Sequence, residues 1–210
     1  MTSLQAEQLH SRAASLAARF GQAGGRSYIE EAIDLDREAL QLRQPDHPKR
    51  YVSLVHLTHH LLDRYKQFGA TSDFGEAIIL GREALALCPQ GHPKRSMSLN
   101  NLAIGLFIRY TRLGGMEDLD EAIVLDREAL VLCPQGDVDR LMALNNLAVR
   151  LSARYDQLGG MKDLDEAIVL DRGVLDYCPQ GHPDRSQFLN NLAVRLSTRC
   201  TRLGGMEDLD

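Results

Sequence analysis

The chain has 210 residues, 44% hydrophobic and 25% charged, with 24 Lys and Arg against 29 Asp and Glu for a formal net charge of −5. These are ordinary globular proportions, and the negative balance argues against a nucleic-acid footprint, which needs clustered positive charge. No apolar run is long enough to span a bilayer, and the N-terminal stretch lacks the continuous apolar centre of a secretory signal. That stretch has the Arg, Ser and Ala alternation of a mitochondrial presequence. However, Leu9, Ala13, Leu16 and Phe20 fall on a helical pattern that recurs throughout the chain, so it is assigned to the fold. A soluble, cytoplasmic protein without membrane or nucleic-acid partners is expected.

The chain repeats itself. Gly-Gly pairs at Gly24, Gly114, Gly159 and Gly204, Glu-Ala-Ile from Glu31, Glu76, Glu121 and Glu166, and Cys-Pro-Gln-Gly from Cys88, Cys133 and Cys178 all step by multiples of 45 residues. Residues 116–160 and 161–205 are identical at 31 of 45 positions. Each unit reads as two helices. The long first helices are predicted near 3–22, 47–68, 92–113, 137–158 and 182–203, and the second helices near 28–43, 73–87, 118–132 and 163–177. In the first helix of the third unit, Leu99, Leu102, Ala103, Leu106, Tyr110 and Leu113 form an unbroken helical stripe. Pro93 suits its first turn, and Gly114 and Gly115 supply a left-handed stop. Asp118, with Glu121 three residues on, reads as a capping pair for the second helix. That helix carries Leu119, Ala122, Ile123, Ala129 and Leu130, and Pro134 closes it.

A two-helix unit cannot bury its apolar stripe alone, so neighbours must stack. The expected fold is all-α, an α-solenoid of about nine helices. It forms one array over 1–210, with helix pairs at about 3–43, 47–87, 92–132 and 137–177. A first helix at 182–203 opens an incomplete last unit. Met206–Asp210 begins another second helix in the repeat's wording, so the chain is expected to be a piece of a longer array.

The pattern Leu99-x-x-Leu102-Ala103-x-x-Leu106, followed by Ala122, Ala129 and Pro134, resembles the tetratricopeptide repeat (TPR) family. The match runs along the whole chain, with Ala77, Ala84 and Pro89 in the second unit and Ala167 and Pro179 in the fourth. The resemblance implies a right-handed superhelix with a concave face that binds proteins. Two departures stand out. The unit is 45 residues long against about 34 in the standard repeat. The family's aromatic position in the second helix is here Asp36, Gly81, Asp126 or Asp171. The long unit and the phrase LGGMEDLDEAI are similar to expanded fungal arrays that accompany caspase-like (CHAT) protease or NTPase modules. Asn-Asn-Leu-Ala is similar to kinesin-light-chain-type repeats, which bind cargo peptides.

No catalytic chemistry is legible. Cys88, Cys133 and Cys178 share one repeat position, too far apart for disulfides, and read as reduced, small apolar residues at helix ends. Cys-x3-His recurs at Cys88/His92 and Cys178/His182, but Asp137 interrupts the series and no second ligand pair exists for zinc. His92 and His182 read as lead-in residues before Pro. His56 and His60 could share a metal on one helix face, yet no glutamate follows His56 as in His-Glu-x-x-His. With no phosphate-cradling glycine motif either, the chain reads as a non-enzyme with no cofactor and no metal.

Asp126 lies on the stripe of Ala122 and Ile123, and a buried carboxylate needs partners. Arg19, Arg64, Arg109, Arg154 and Arg199 recur at one first-helix position, so an Asp–Arg pairing between helices is expected. A rolled helix with Asp126 in solvent is the alternative.

The segment LNNLA at 99–103, 144–148 and 189–193 sets two asparagines in mid-helix three times. At roughly 100° per residue, with Leu99 at zero, Asn100 lies near 100° and Asn101 near 200°. Between them lie Met97, Ile104 and Ile108, the sector that lines the concave groove in TPR proteins. The next units place Met142, Asn145, Asn146, Val149, Ser152 and Ala153 there, then Gln187, Asn190, Asn191, Val194, Ser197 and Thr198. Asn offers both donor and acceptor to an extended peptide backbone. The same amides could instead bridge adjacent helices. The groove carries no inward lysines, so a carboxylate clamp of the kind some family members use is not expected.

The expected function is a non-catalytic scaffold that holds a peptide or protein segment in this groove. The alternatives are a regulatory arm controlling a downstream protease or NTPase module, and a structural spacer. Self-association through the array ends is a further interaction left open.

Overall fold

The structure is a computed structural model, described for residues 2–134 and 138–204, without the side chains of residues 2, 138, 139 and 203. Gln135, Gly136, Asp137 and the predicted start of a further second helix at 206–210 lie outside the described residues. The described residues form nine α-helices and no strand. These are α1 (Thr2–Ala23), α2 (Arg26–Leu42), α3 (Arg50–Phe68), α4 (Thr71–Ala86), α5 (Arg95–Leu113), α6 (Met116–Leu132), α7 (Val138–Leu158), α8 (Met161–Tyr177) and α9 (Arg185–Leu203). The chain divides into two compact units, Met1–Asp118 and Leu119–Asp210.

Three first helices start at Arg50, Arg95 and Arg185, three residues later than the repeat pattern suggests. The cause is the His-Pro lead-in. The carbonyls of His47, His92 and His182 accept from the backbone N–H of Arg50, Arg95 and Arg185 at 2.9, 3.0 and 3.1 Å. Pro48, Pro93 and Pro183 thus occupy the second position of a turn, where their fixed φ fits, and not the first helical turn. The same histidines accept at Nδ1 from the backbone N–H two residues on, at 3.1–3.2 Å. An arginine in the first turn of α3, α5, α7 and α9 then reaches back to cap the preceding second helix. Arg50 donates to the Arg43 carbonyl at 2.6 Å, Arg95 to Cys88 and Arg140 to Cys133 at 2.7 Å, and Arg185 to Cys178. A cation on orphaned C-terminal carbonyls is favourable for both charge and hydrogen bonding.

Four first helices end on a glycine at φ of 67–70°, the left-handed conformation that only glycine adopts cheaply: Gly24, Gly69, Gly159 and Gly204. The second helices α4, α6 and α8 begin two residues earlier than expected, and this corrects the capping assignment. Asp118 is the third residue inside α6, and its carboxylate takes a bidentate pair of hydrogen bonds from Arg109, both 2.6 Å. Arg64 holds Asp73 in the same way at 2.8 and 2.9 Å, and Arg154 holds Asp163 at 2.8 and 2.7 Å. A carboxylate in the first turn also complements the helix dipole.

In the first unit the core joins Ile29 and Ile33 of α2, Leu57, Leu61 and Leu62 of α3 and Ala77 of α4. In the second unit Tyr155 packs with Leu164 and Ile168. Leu141, Leu144, Val174, Cys178 and Phe188 form a second cluster there. Cys88, Cys133 and Cys178 are buried free thiols. Arg43 occupies their position in the first repeat and is fully buried, its guanidinium donating to Ser53 Oγ at 2.9 Å.

Candidate binding face and charged repeat junctions

In α5 and in α9 one face meets the preceding first helix of the same unit and another is more open. The two asparagine rows fall on different faces. Asn101 is buried, and its Nδ2 donates 3.2 Å across to the Val55 carbonyl on α3. Asn191 reaches across in the same sense, its Nδ2 lying 3.5 Å from Asn145 Oδ1 on α7. Asn101 and Asn191 therefore each tie a first helix to the preceding one of the same unit. The row at 100, 145 and 190 is more open: Asn100 and Asn145 are half-buried and Asn190 is exposed.

Around the open row, Met97, Met142 and Val194 are 36%, 48% and 57% exposed, and Gln187 and Ser197 are exposed. Val149, Ser152, Ala153 and Thr198 are half-buried. Ile104 and Ile108 are less open than Met97, Met142 and Val194. They pack, half-buried, against the Leu57–Leu61–Leu62 cluster of the first unit, because an apolar side chain at the helix–helix margin gains more by covering its neighbour than by facing water.

Asp36, Asp126 and Asp171 are buried at 0%, 1% and 2% exposure, so the solvated alternative fails. Their partners are not the expected arginines, which hold Asp73, Asp118 and Asp163 instead. Asp126 Oδ2 lies 2.7 Å from Arg150 Nη1, outside hydrogen-bond geometry. Asp171 accepts from Arg195. Asp36 Oδ2 meets His60 Nδ1 at 2.7 Å, and its Oδ1 meets His10 Nδ1 at 3.4 Å. His60, Arg150 and Arg195 occupy one repeat position, 24 residues after their aspartates.

Burial governs these charges. It pushes the Asp126 carboxyl up to about 6, against the pull of Arg150, and pushes Arg150 down. Burial also raises Asp171, with Arg195 opposing. At Asp36 burial acts the same way, but the bonds from His10 and His60 outweigh it and hold the carboxyl below the usual range.

The three histidines of α3 diverge. His56 packs against His10 with ring centroids 4.0 Å apart and the rings tilted by 58°, and burial with the nearby His10 lowers it to about 4. His59 pairs with Asp63 at 3.3 Å, and His60 turns to Asp36. His56 and His60 therefore do not converge on a shared point, and among the described residues no group of three His, Cys, Asp or Glu is placed to hold a metal ion.

No protein-family model matches the chain, and no curated protein does. Solved structures do. The nearly identical TPR-like repeats of a Podosopora anserina protein designated a kinesin light chain align with 100% of this chain and 93% of that one, at 21% identity and a TM-score of 0.66. BtubC (BKLC) from P. vanneervenii aligns with 95% of this chain and 84% of its own, at 18% identity and a TM-score of 0.59.

Proposed function

We propose that this all-α, TPR-like helical-repeat chain, in which no described helix is long and apolar enough to cross a membrane, is a non-catalytic interaction scaffold that binds an extended peptide or protein segment on its open first-helix faces. The observation that carries the proposal is the division of labour between the asparagine rows. In the second unit Asn191 is spent on Asn145, while Asn190, Met142, Gln187 and Val194 face outward. In the first unit Asn101 is spent on Val55, while Asn100 is half-buried beside exposed Met97. Amides with a donor and an acceptor each can pair with an extended backbone, and exposed methionines adapt to varied side chains.

The test is selection of binders from a random peptide library displayed on phage, followed by titration of a winning peptide. Asn190→Ala with Gln187→Ala should weaken binding at least about tenfold, the loss of one or two hydrogen bonds, with the melting temperature nearly unchanged. Binding unaffected by this variant and by Met142→Ala and Val194→Ala refutes it. A second reading, a structural spacer, draws on the bridging role of Asn101 and Asn191. It requires that no peptide from the library bind at these faces.

A further inference from the structure

The buried junction between a second helix and the next first helix changes its residues in concert. The second-helix position reads Asp36, Gly81, Asp126 and Asp171, and the first-helix position that follows reads His60, Gly105, Arg150 and Arg195. A basic side chain stands on the first helix wherever the preceding second helix carries Asp. Where it carries Gly81, the partner is Gly105. There α4 and α5 approach closely: a Cβ on Gly105 would lie 3.0 Å from Ile78 Cγ1, and one on Gly81 3.4 Å from Leu102 Cβ. Ser15, at the same position on α1, is exposed and uncharged. Contacts at three charged junctions are direct, between α2 and α3, α6 and α7, and α8 and α9.

The Asp126–Arg150 pair does not owe its presence to stability. Desolvation disfavours Asp126 and Arg150 alike, as expected where taking two ions out of water costs more than their attraction returns. What such a pair does supply is a penalty on the wrong neighbour, since a mismatched junction buries a lone charge opposite a glycine. The rest of the repeat gives little discrimination, because residues 116–160 and 161–205 share 31 of 45 positions. Near-identical helices can dock out of register unless something forbids it.

We propose that the positions of Asp36/His60, Gly81/Gly105, Asp126/Arg150 and Asp171/Arg195 are the register determinants of the array. A second helix accepts a first helix only when the two carry matched residues, Asp with a basic side chain or Gly with Gly. Repeats consequently cannot be skipped or exchanged during folding, and a helix from a second copy docks only where the residues match.

Two double variants of the full chain with one composition test this. Asp126→Gly with Arg150→Gly leaves one matched glycine junction and one matched charged junction. Asp126→Gly with Arg195→Gly removes the same residue types but mismatches both junctions. The mismatched chain should have a folded-to-unfolded ratio lower by at least about tenfold in urea, given the cost of breaking a buried pair. It should also show doubled, shifted or collapsed α7 and α9 amide resonances by NMR, where the matched chain shows one set. Equal urea midpoints, or a single set at wild-type positions in the mismatched chain, overturns the proposal. If both glycine variants fail to fold, Asp126→Leu/Arg150→Met against Asp126→Leu/Arg195→Met repeats the comparison with the volume filled, and the same criteria apply. Neither result bears on peptide binding, so the two proposals fail separately.

Discussion

Arg150→Met exposes the energetics of a buried junction through its pH dependence. In the wild-type chain Asp126 is 1% exposed, and its carboxyl titrates at about 6 with Arg150 beside it. Methionine fills much of the arginine's volume and keeps the helix, but removes the one charge 2.7 Å from the carboxylate. Without that guanidinium the carboxyl stays protonated in the folded chain well above pH 6, while the unfolded chain releases its proton near pH 4. A folded-state value raised above the unfolded one favours folding at low pH and loses that contribution as pH rises. Below about pH 5 both folded chains hold the proton, so the stability gap between variant and wild type is constant. Above pH 6 the wild type has ionised and the variant has not. The gap then widens by about 1.4 kcal/mol per pH unit, or about 3 kcal/mol between pH 6 and pH 8. Urea unfolding followed by far-UV circular dichroism at pH 5, 6, 7 and 8 measures it. A gap that stays level from pH 5 to pH 8 would mean that solvent reaches the carboxylate and that the junction is not dry.

Gly105→Ala forces a Cβ to within 3.0 Å of Ile78 and should cost about 1–3 kcal/mol of overpacking, less the helix-propensity gain. Gly173→Ala meets only Leu144 at 3.7 Å and should stabilise by up to about 1 kcal/mol; thermal melts of the two compare them directly. Asn101→Ala should lower stability by about 1 kcal/mol through the lost bond to the Val55 carbonyl, with peptide affinity retained, whereas a change in affinity alone would reverse the roles of the two asparagine rows. Asp36, held below the usual carboxyl range by His10 and His60, contributes stability above that range and loses it as pH falls through its folded value. His60→Ala should therefore move the acid-unfolding midpoint to higher pH, and an unmoved midpoint would show that the pair carries no linkage.

The 45-residue period was readable because glycine stops, apolar stripes and cysteines recur in step, and it placed all nine helices within a few residues of the described ones. The lead-in was misjudged because Pro93 fits both a turn and a first helical turn. What separates them is the His92 carbonyl and ring, which act on backbone groups that no spacing reveals. Asp126 was correctly placed inside because side chains three and four residues apart share a helix face. Its partner is not legible from the recurring arginines, because the row at 19, 64, 109, 154 and 199 is invariant while Arg150 stands at a position that varies from unit to unit. The informative signal was the variation itself: His60, Gly105, Arg150 and Arg195 change exactly as far as Asp36, Gly81, Asp126 and Asp171 require. Similarly, the angular positions of Asn100 and Asn101 were legible from helix geometry, but which one meets a neighbouring helix depends on packing between repeats, which one helix does not encode.

The most direct measurement follows the side-chain amide resonances of the asparagines while a library-selected peptide is titrated into the labelled chain. Binding on the open faces requires the Asn145 and Asn190 signals to move with the binding isotherm while those of buried Asn101 hold still. A peptide that binds saturably and leaves both Asn145 and Asn190 unmoved would contradict the scaffold face described above.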